Sequence, residues 1–297
     1  SKEELRLGGL RIDPATNIGS RVSYYKQIKI KNILQKDGEL KAVSGLPANP
    51  LMANFSWSPD QHKMAFTHTT AKGVEVWVLD IPTAAAKKLS GPSANANMGD
   101  VINWFENSQA ILVKMVSGKR KPLIDVETAI PDGPTISVAD GKKAQNRTYQ
   151  DLLQNKNDEH NFEQLALSEI HKVSLDGSSE VWLERDMYGN ISFSPDREIV
   201  MVNTEGKPFS YLVPYYRFPT TTTIYTKDAS KVETVLEVPL IEDLPKGFMA
   251  TRTGRRSMSW RSDKADTLVF AEALDGGDPE NEVEYRDEVF QLEAPFS

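Results

Sequence analysis

The 297-residue sequence contains no cysteine, and that single absence removes disulfide staples, thiolate metal sites and thiol nucleophiles together. Long apolar runs are also missing: no stretch approaches the roughly 18 uninterrupted apolar residues of a membrane span. The opening Ser1-Lys2-Glu3-Glu4-Leu5 lacks the apolar core of a signal peptide, and Ser1 in place of Met leads to the expectation that an upstream segment has been removed. The compartment stays open on these grounds, with a periplasmic or secreted location favoured over a cytoplasmic one. A surplus of positive charge is absent too. A net charge of −7 argues against a nucleic-acid partner, which needs a concentrated basic face. The basic run Lys119-Arg120-Lys121 is short, ends at Pro122 and reads as a solvated turn.

The usual carriers of chemistry are equally scarce. No Ser sits in a Gly-x-Ser-x-Gly setting, which a strand-to-helix nucleophile elbow requires; Gly91-Pro92-Ser93-Ala94-Asn95 and Gly177-Ser178-Ser179 both lack the second glycine. His62 and His68 are not spaced as an i, i+4 metal pair, and His160 and His171 read as surface or locally bonded residues. Asp275-Gly276-Gly277-Asp278 has too few regularly spaced oxygen ligands for a cation loop and reads as a turn. No phosphate-binding glycine loop is found. No catalytic residue, metal or cofactor is therefore expected in this chain.

What the sequence does contain is a repeat. Asn54-Phe55-Ser56-Trp57-Ser58-Pro59-Asp60 leads into Met64-Ala65-Phe66-Thr67 and then Glu75-Val76-Trp77-Val78-Leu79-Asp80. With a period of two this spells strand, tight turn, strand, gap, strand. Pro59 suits the second position of a type I turn, Ser58 the first, and Asp60 can accept from nearby backbone N–H groups. The pattern returns at Ile102-Asn103-Trp104-Phe105, at Ile191-Ser192-Phe193-Ser194-Pro195-Asp196 and at Met258-Ser259-Trp260-Arg261-Ser262-Asp263, each followed by an apolar strand. A small meander cannot bury both faces alone and needs neighbours of the same plan. The expected fold is therefore an all-β propeller with four-stranded, WD-type blades. Trp57, Trp104, Phe193 and Trp260 fall at equivalent points and are assigned as blade anchors, each able to bury roughly 150–250 Å² in a seam. A ligand cage is the alternative for these rings.

Around that frame, residues 1–21 show little periodicity and suggest an N-terminal strap on the surface, with blades over 22–297. Asp37-Gly38 is expected to set a hairpin, as is Asp176-Gly177. Residues 119–167 form an excursion, first rich in Pro, Gly and Lys, then helical from Thr148 to Leu167, and too long for a hairpin loop. Thr220 to Tyr225 is a β-branched strand, and Val289-Phe290-Gln291-Leu292 ends the last blade as its third strand. The arc comprises about four to five blades and is incomplete. Leaving even roughly 500 Å² of apolar blade face in water would forgo about 12 kcal/mol at 25 cal/mol/Å², comparable with a domain's whole stability. Cover is therefore expected, from a homodimer packed edge to edge or from further blades.

Several longer, non-repeating segments carry a resemblance. Arg147-Thr148-Tyr149-Gln150-Asp151-Leu152-Leu153, Val173-Ser174-Leu175-Asp176-Gly177, Ser210-Tyr211-Leu212-Val213-Pro214 with Arg217-Phe218-Pro219, and Arg256-Ser257-Met258-Ser259-Trp260-Arg261 resemble the N-terminal propeller of glutamyl endopeptidase-like members of the prolyl oligopeptidase family. The resemblance implies a serine peptidase in which a propeller of about seven blades covers an α/β-hydrolase domain, the glutamyl branch cutting after acidic residues. The partners it implies are that C-terminal hydrolase domain, holding the catalytic residues, and a peptide substrate. A pocket for an acidic side chain needs a guanidinium, because a bidentate Arg–carboxylate contact supplies both energy and geometry. Arg217, Arg255 and Arg256 are the substrate-contact candidates, with capping of acidic blade edges as their structural alternative. The leading expectation is a propeller that gates substrate and docks the peptidase domain without activity of its own; a stand-alone propeller binding protein or carbohydrate is the alternative.

Overall fold

The Ser-Pro-Asp corners show why the chain reverses where it does. The computed structural model describes residues 3–105, 107–125 and 148–297. In it Gln61 N–H donates to Ser58 O at 2.8 Å, closing the turn around Pro59. The Ser58 hydroxyl donates to Asp60 Oδ1 at 2.6 Å and accepts from Lys63 N–H at 2.9 Å, while His62 N–H donates to Asp60 Oδ1 at 3.0 Å. The Ser58 hydrogen bond above all holds the Asp60 carboxyl down at about 2. Ser194-Pro195-Asp196 repeats the arrangement: its hydroxyl lies 2.5 Å from Asp196 Oδ1 and accepts from Ile199 N–H at 3.0 Å.

These corners join antiparallel meanders. Short N-terminal strands β1 (Leu5–Leu7), β2 (Leu10–Asp13), β3 (Ile18–Gly19), β4 (Lys29–Ile30) and β5 (Lys41–Ala42) come first. The first four-stranded sheet follows, with β6 (Met52–Trp57), β7 (Lys63–Thr70), β8 (Gly73–Asp80) and β9 (Ala85–Lys88) in chain order. A second comprises β10 (Ile102–Phe105), β11 (Ala110–Val116), β12 (Ser168–Ser174) and β13 (Ser179–Asp186), with helix α1 (Lys156–Ala166) between its middle strands. A third holds β14 (Tyr188–Phe193), β15 (Ile199–Glu205), β16 (Thr220–Thr226) and β17 (Lys231–Val238). The last has three strands, β18 (Arg256–Trp260), β19 (Leu268–Ala273) and β20 (Asp287–Leu292).

The chain divides into two compact units, Ser1–Leu5, Leu10–Pro122 and Glu163–Gly189 in one and Arg6–Gly9, Leu123–Phe162 and Asn190–Ser297 in the other. In the first, Ala65, Val74, Val76 and Val78 pack with Ile111, Val113, Met115 and Val173. Trp104 is buried in that core and its indole N–H donates to Ser56 O at 2.9 Å, a contact from β10 to β6. In the second unit Ile224, Val235, Leu268 and Phe296 form the core, and Trp260 meets the Phe296 ring edge-on at 6.0 Å.

Several expectations need correction. Trp57 occupies the repeat position of Trp104 yet is 56% exposed, because its sheet packs through Phe66, Leu79 and Met52 instead. Phe193 is half-buried beneath Arg197, whose guanidinium carbon lies 4.5 Å from the ring centroid. Residues 1–21 are more than a surface strap, since Ile12 and Ile18 are buried and β2 pairs with β3. Asp37-Gly38 does not make a two-residue hairpin; β4 and β5 are joined by a longer loop containing successive turns. Within the 119–167 excursion the helix starts later than the apolar pattern suggested, because Asn155 caps it by accepting from Asp158 N–H at 3.0 Å. Much of the remaining excursion, and Arg147 of the resemblance, lie outside the described residues.

Candidate functional site

The second unit contains a corner built from two of the segments that carry the resemblance. Its floor is aromatic. Phe162, near the middle of α1, meets Phe209 edge-on at 5.1 Å and Phe218 at 5.5 Å, and Tyr215 lies 6.5 Å away. Gly8 and Gly9 close one side, both at positive φ; a Cβ on Gly9 would come within 2.9 Å of Pro214. That approach lets Gly9 N–H donate to Asp151 O and Tyr215 N–H to Gly8 O, both at 2.8 Å. The strap thus stitches the Tyr149–Leu153 stretch to the Pro214–Pro219 stretch. Tyr211 adds a further tie, its hydroxyl donating to Glu159 Oε1 at 2.6 Å.

On this floor Arg217, at the end of a 3₁₀ turn spanning Tyr215–Arg217, lays its guanidinium over the Tyr149 ring, 5.5 Å from the centroid. Among the described residues no carboxylate pairs with Arg217, and the Tyr149 hydroxyl is buried without a hydrogen-bond partner. Nearby on the same unit, Glu205 closes β15 at 8% exposure with Oε2 likewise unpartnered. Burial pushes its carboxyl up to about 8, and the Glu205 charge in turn helps burial raise the Tyr215 phenol. A guanidinium and a phenol hydroxyl with no hydrogen-bond partner among the described residues make a corner suited to receiving an anionic group, while Glu205 acts on the neighbouring Tyr215.

The other candidates are engaged. Arg256 is ion-paired with Asp287 of its own sheet. Arg255 donates to Val235 O at 3.2 Å and covers the Phe270 ring at 4.8 Å. The structure places both at the start of β18, on a different element from Arg217.

Sequence reasoning overlooked Tyr149, read only as one side of a helical face, and Glu205, whose Glu-Gly-Lys-Pro setting looks like an ordinary turn. It also missed a Ser–His–carboxylate contact on the second sheet. His171 Nδ1 lies 3.0 Å from Ser179 Oγ and Nε2 lies 3.3 Å from Glu169 Oε2, while Ser117 donates to Glu169 Oε1 at 2.6 Å. The signal was register: residues 169 and 171 share a strand face, and the Asp176-Gly177 hairpin brings Ser179 alongside. Ser179 belongs to a regular strand rather than a strained elbow, and chiefly the Ser117 hydrogen bond holds Glu169 below the usual carboxylate range. We read it as a cross-strand polar ladder. Among the described residues no group of three or more metal-ligating side chains occurs.

Serial antiparallel meanders in chain order define the class: this is a β-propeller fold. No family model matches the chain. Over 99% of its length it is 32% identical to a probable glutamyl endopeptidase of Oryza sativa and 33% identical to one of Arabidopsis thaliana, both named as chloroplastic. The chain spans about a third of each relative's length, 32% and 31%. A solved structure from work on two prolyl endopeptidases, and on inter-domain dynamics in their catalysis and specificity, matches 98% of the chain and 34% of its own length at 11% identity and a TM-score of 0.50. That likeness concerns the fold. The chain is a homologue, along nearly its whole length, of one segment of glutamyl endopeptidase-type proteins.

Proposed function

We propose that this chain is the propeller portion of a serine peptidase of the prolyl oligopeptidase family, selective for acidic residues, and that its Tyr149–Arg217 corner receives the substrate carboxylate. Support for the class is the identity to two named glutamyl endopeptidases over 99% of the chain. The carboxylate reading rests on one observation: Arg217 is held in place by an aromatic ring with its hydrogen-bond donors unspent among the described residues. A guanidinium so held is pre-ordered, and each charge-assisted hydrogen bond to a carboxylate contributes about 1.5–3 kcal/mol. In this reading the nucleophile and its base belong to a partnering hydrolase domain, and the propeller docks that domain and limits which peptides reach it.

The test uses the intact protein that carries this chain. Arg217→Ala should lower kcat/KM for cleavage after Glu by about 10²-fold, corresponding to about 2.7 kcal/mol, with cleavage after Gln changed by less than about 3-fold. Arg256→Ala, which breaks only a pair within its own sheet, should leave the Glu/Gln ratio unchanged. An equal loss for both substrates in Arg217→Ala would remove the corner from substrate selection. Failure of the intact protein to cleave any acidic peptide would remove the peptidase reading as well.

A further inference from the structure

The first unit carries a feature that peptidase selectivity does not use. The loop between β4 and β5 holds Ile33 and Leu34 at 88% and 91% exposure, and Leu40 in the same loop is exposed as well. Beside them lies the exposed Trp57, and together with Ile30, Ile81 and Pro82 these residues bound a groove of about 950 Å³. Lys31 and Lys41 line it together with Glu39, and the stretch 26–41 adds Lys26, Lys29 and Lys36 against Asp37, so that its five lysines and two acids leave three net positive charges in a chain of net charge −7. None of those five lysines joins an ion pair among the described residues.

Two features of this face conflict with water as its permanent neighbour. Large aliphatic side chains at nine-tenths exposure retain nearly all of their unfavourable hydration. Five ammonium groups within a short span, offset by only two carboxylates, repel one another, and an anionic neighbour relieves that repulsion. The positive field is local, so it would draw an acidic chain to this place on an otherwise acidic molecule. The apolar surface is concave, with Trp57, Ile81 and Pro82 contributed by the β6–β9 sheet and its flanking turn rather than by the loop. A flat bilayer would meet the loop tip and leave that floor uncovered, whereas an extended chain could fill it.

We infer that the β4–β5 loop and Trp57 form a docking groove for an acidic polypeptide segment carrying a large apolar side chain, with its carboxylates on the lysines and its apolar residue on Trp57, Ile33 and Leu34. A Glu- and Asp-flanked Phe-Leu peptide has that chemistry. The inference is independent of the Arg217 reading, since no residue is shared.

The experiment is calorimetric titration of the intact protein with such a peptide, with the same peptide carrying Gln and Asn for its acids, and with one carrying Ser-Ser for Phe-Leu. Saturable binding of the first, weakened about 10-fold or more in each of the other two and by added salt, is the expected result. Ile33→Ser with Leu34→Ser should abolish it. So should Lys29→Glu with Lys31→Glu and Lys36→Glu. These side chains are mostly outside the core, so near-ultraviolet dichroism and the melting temperature should stay unchanged, which separates lost binding from lost folding. No saturable binding, equal binding of the neutral peptide, or binding unaffected by either set of substitutions overturns the proposal. Two further outcomes overturn it in favour of other occupants: binding of anionic phosphatidylglycerol vesicles but not of the peptide, and self-association in light scattering that the Ile33 and Leu34 substitutions abolish.

Discussion

Lys114 and Glu205 are both ionisable side chains buried on strands, one in each compact unit, and they are treated in opposite ways. The Lys114 ammonium donates to Met98 O and, at 3.4 Å, to Tyr188 O, so neighbouring backbone carbonyls supply acceptors for a buried cation. Among the described residues the Glu205 carboxyl has an oxygen with no partner. Burial moves both toward neutrality, bringing Lys114 down to about 8, with Asp100 opposing, and Glu205 up to about 8. A cation satisfied by backbone carbonyls belongs to the architecture. An acid left unsatisfied, on the unit where Arg217 and the Tyr149 hydroxyl also lack a hydrogen-bond partner among the described residues, is the usual sign of a place built for something else. The difference teaches that burial alone does not mark function; unspent hydrogen-bonding capacity does.

Stability measured against pH can break this comparison. Glu205 should show the largest effect. Its folded value of about 8 lies above the ordinary 4.5, so the folded state binds its proton more tightly, and the associated stability is present below pH 4.5 and lost as pH rises toward 8. Urea unfolding of Glu205→Gln should lack that decline, and by pH 8 the variant should have gained roughly 2–4 kcal/mol relative to its difference from wild type at pH 4.5. Parallel curves would mean that Glu205 has a partner in solution.

Lys114 has the opposite sense. Its folded value of about 8 lies below the ordinary 10.5, so the folded state releases the proton first and stability rises as pH goes from about 8 to 10.5. Lys114→Met should abolish that rise, a change of roughly 1–3 kcal/mol across the window. A rise retained in the variant would assign it to another group.

The Ser-Pro-Asp corners should give the smallest effects and should be equal in the two units. Ser58 and Ser194 are buried and make matching hydrogen bonds. Ser58→Ala and Ser194→Ala should each cost about 1–2 kcal/mol in urea unfolding by stranding the backbone N–H of Lys63 or Ile199. Values differing by more than about 1 kcal/mol would show that the two turns are not energetic equivalents.

The same contrast explains what the amino-acid order made legible. Strand alternation with Ser-Pro-Asp punctuation is a local signal, so the meanders, the Asp176-Gly177 hairpin and the β-branched β16 could all be read directly. Burial of the repeated aromatics could not, because whether Trp57 or Trp104 lies in a seam depends on the sheet opposite. The N-terminal strands escaped notice because two to four residues are too few to establish a period. For the candidate site, Arg217 was nameable because acidic selectivity demands a guanidinium. Its support by Tyr149 was not, since 68 positions separate the two and the folded strap at Gly8-Gly9 bonds to both of their segments.

The central claim is that Arg217 is held ready for a carboxylate supplied from outside the chain. It is tested most directly by following the Arg217 Nε–Hε nuclear magnetic resonance signal, assigned through Arg217→Lys, while blocked Glu and Gln peptides are titrated into the protein. The account predicts a saturable shift with Glu and little or none with Gln. An unmoved signal, or equal shifts with both peptides, would contradict it.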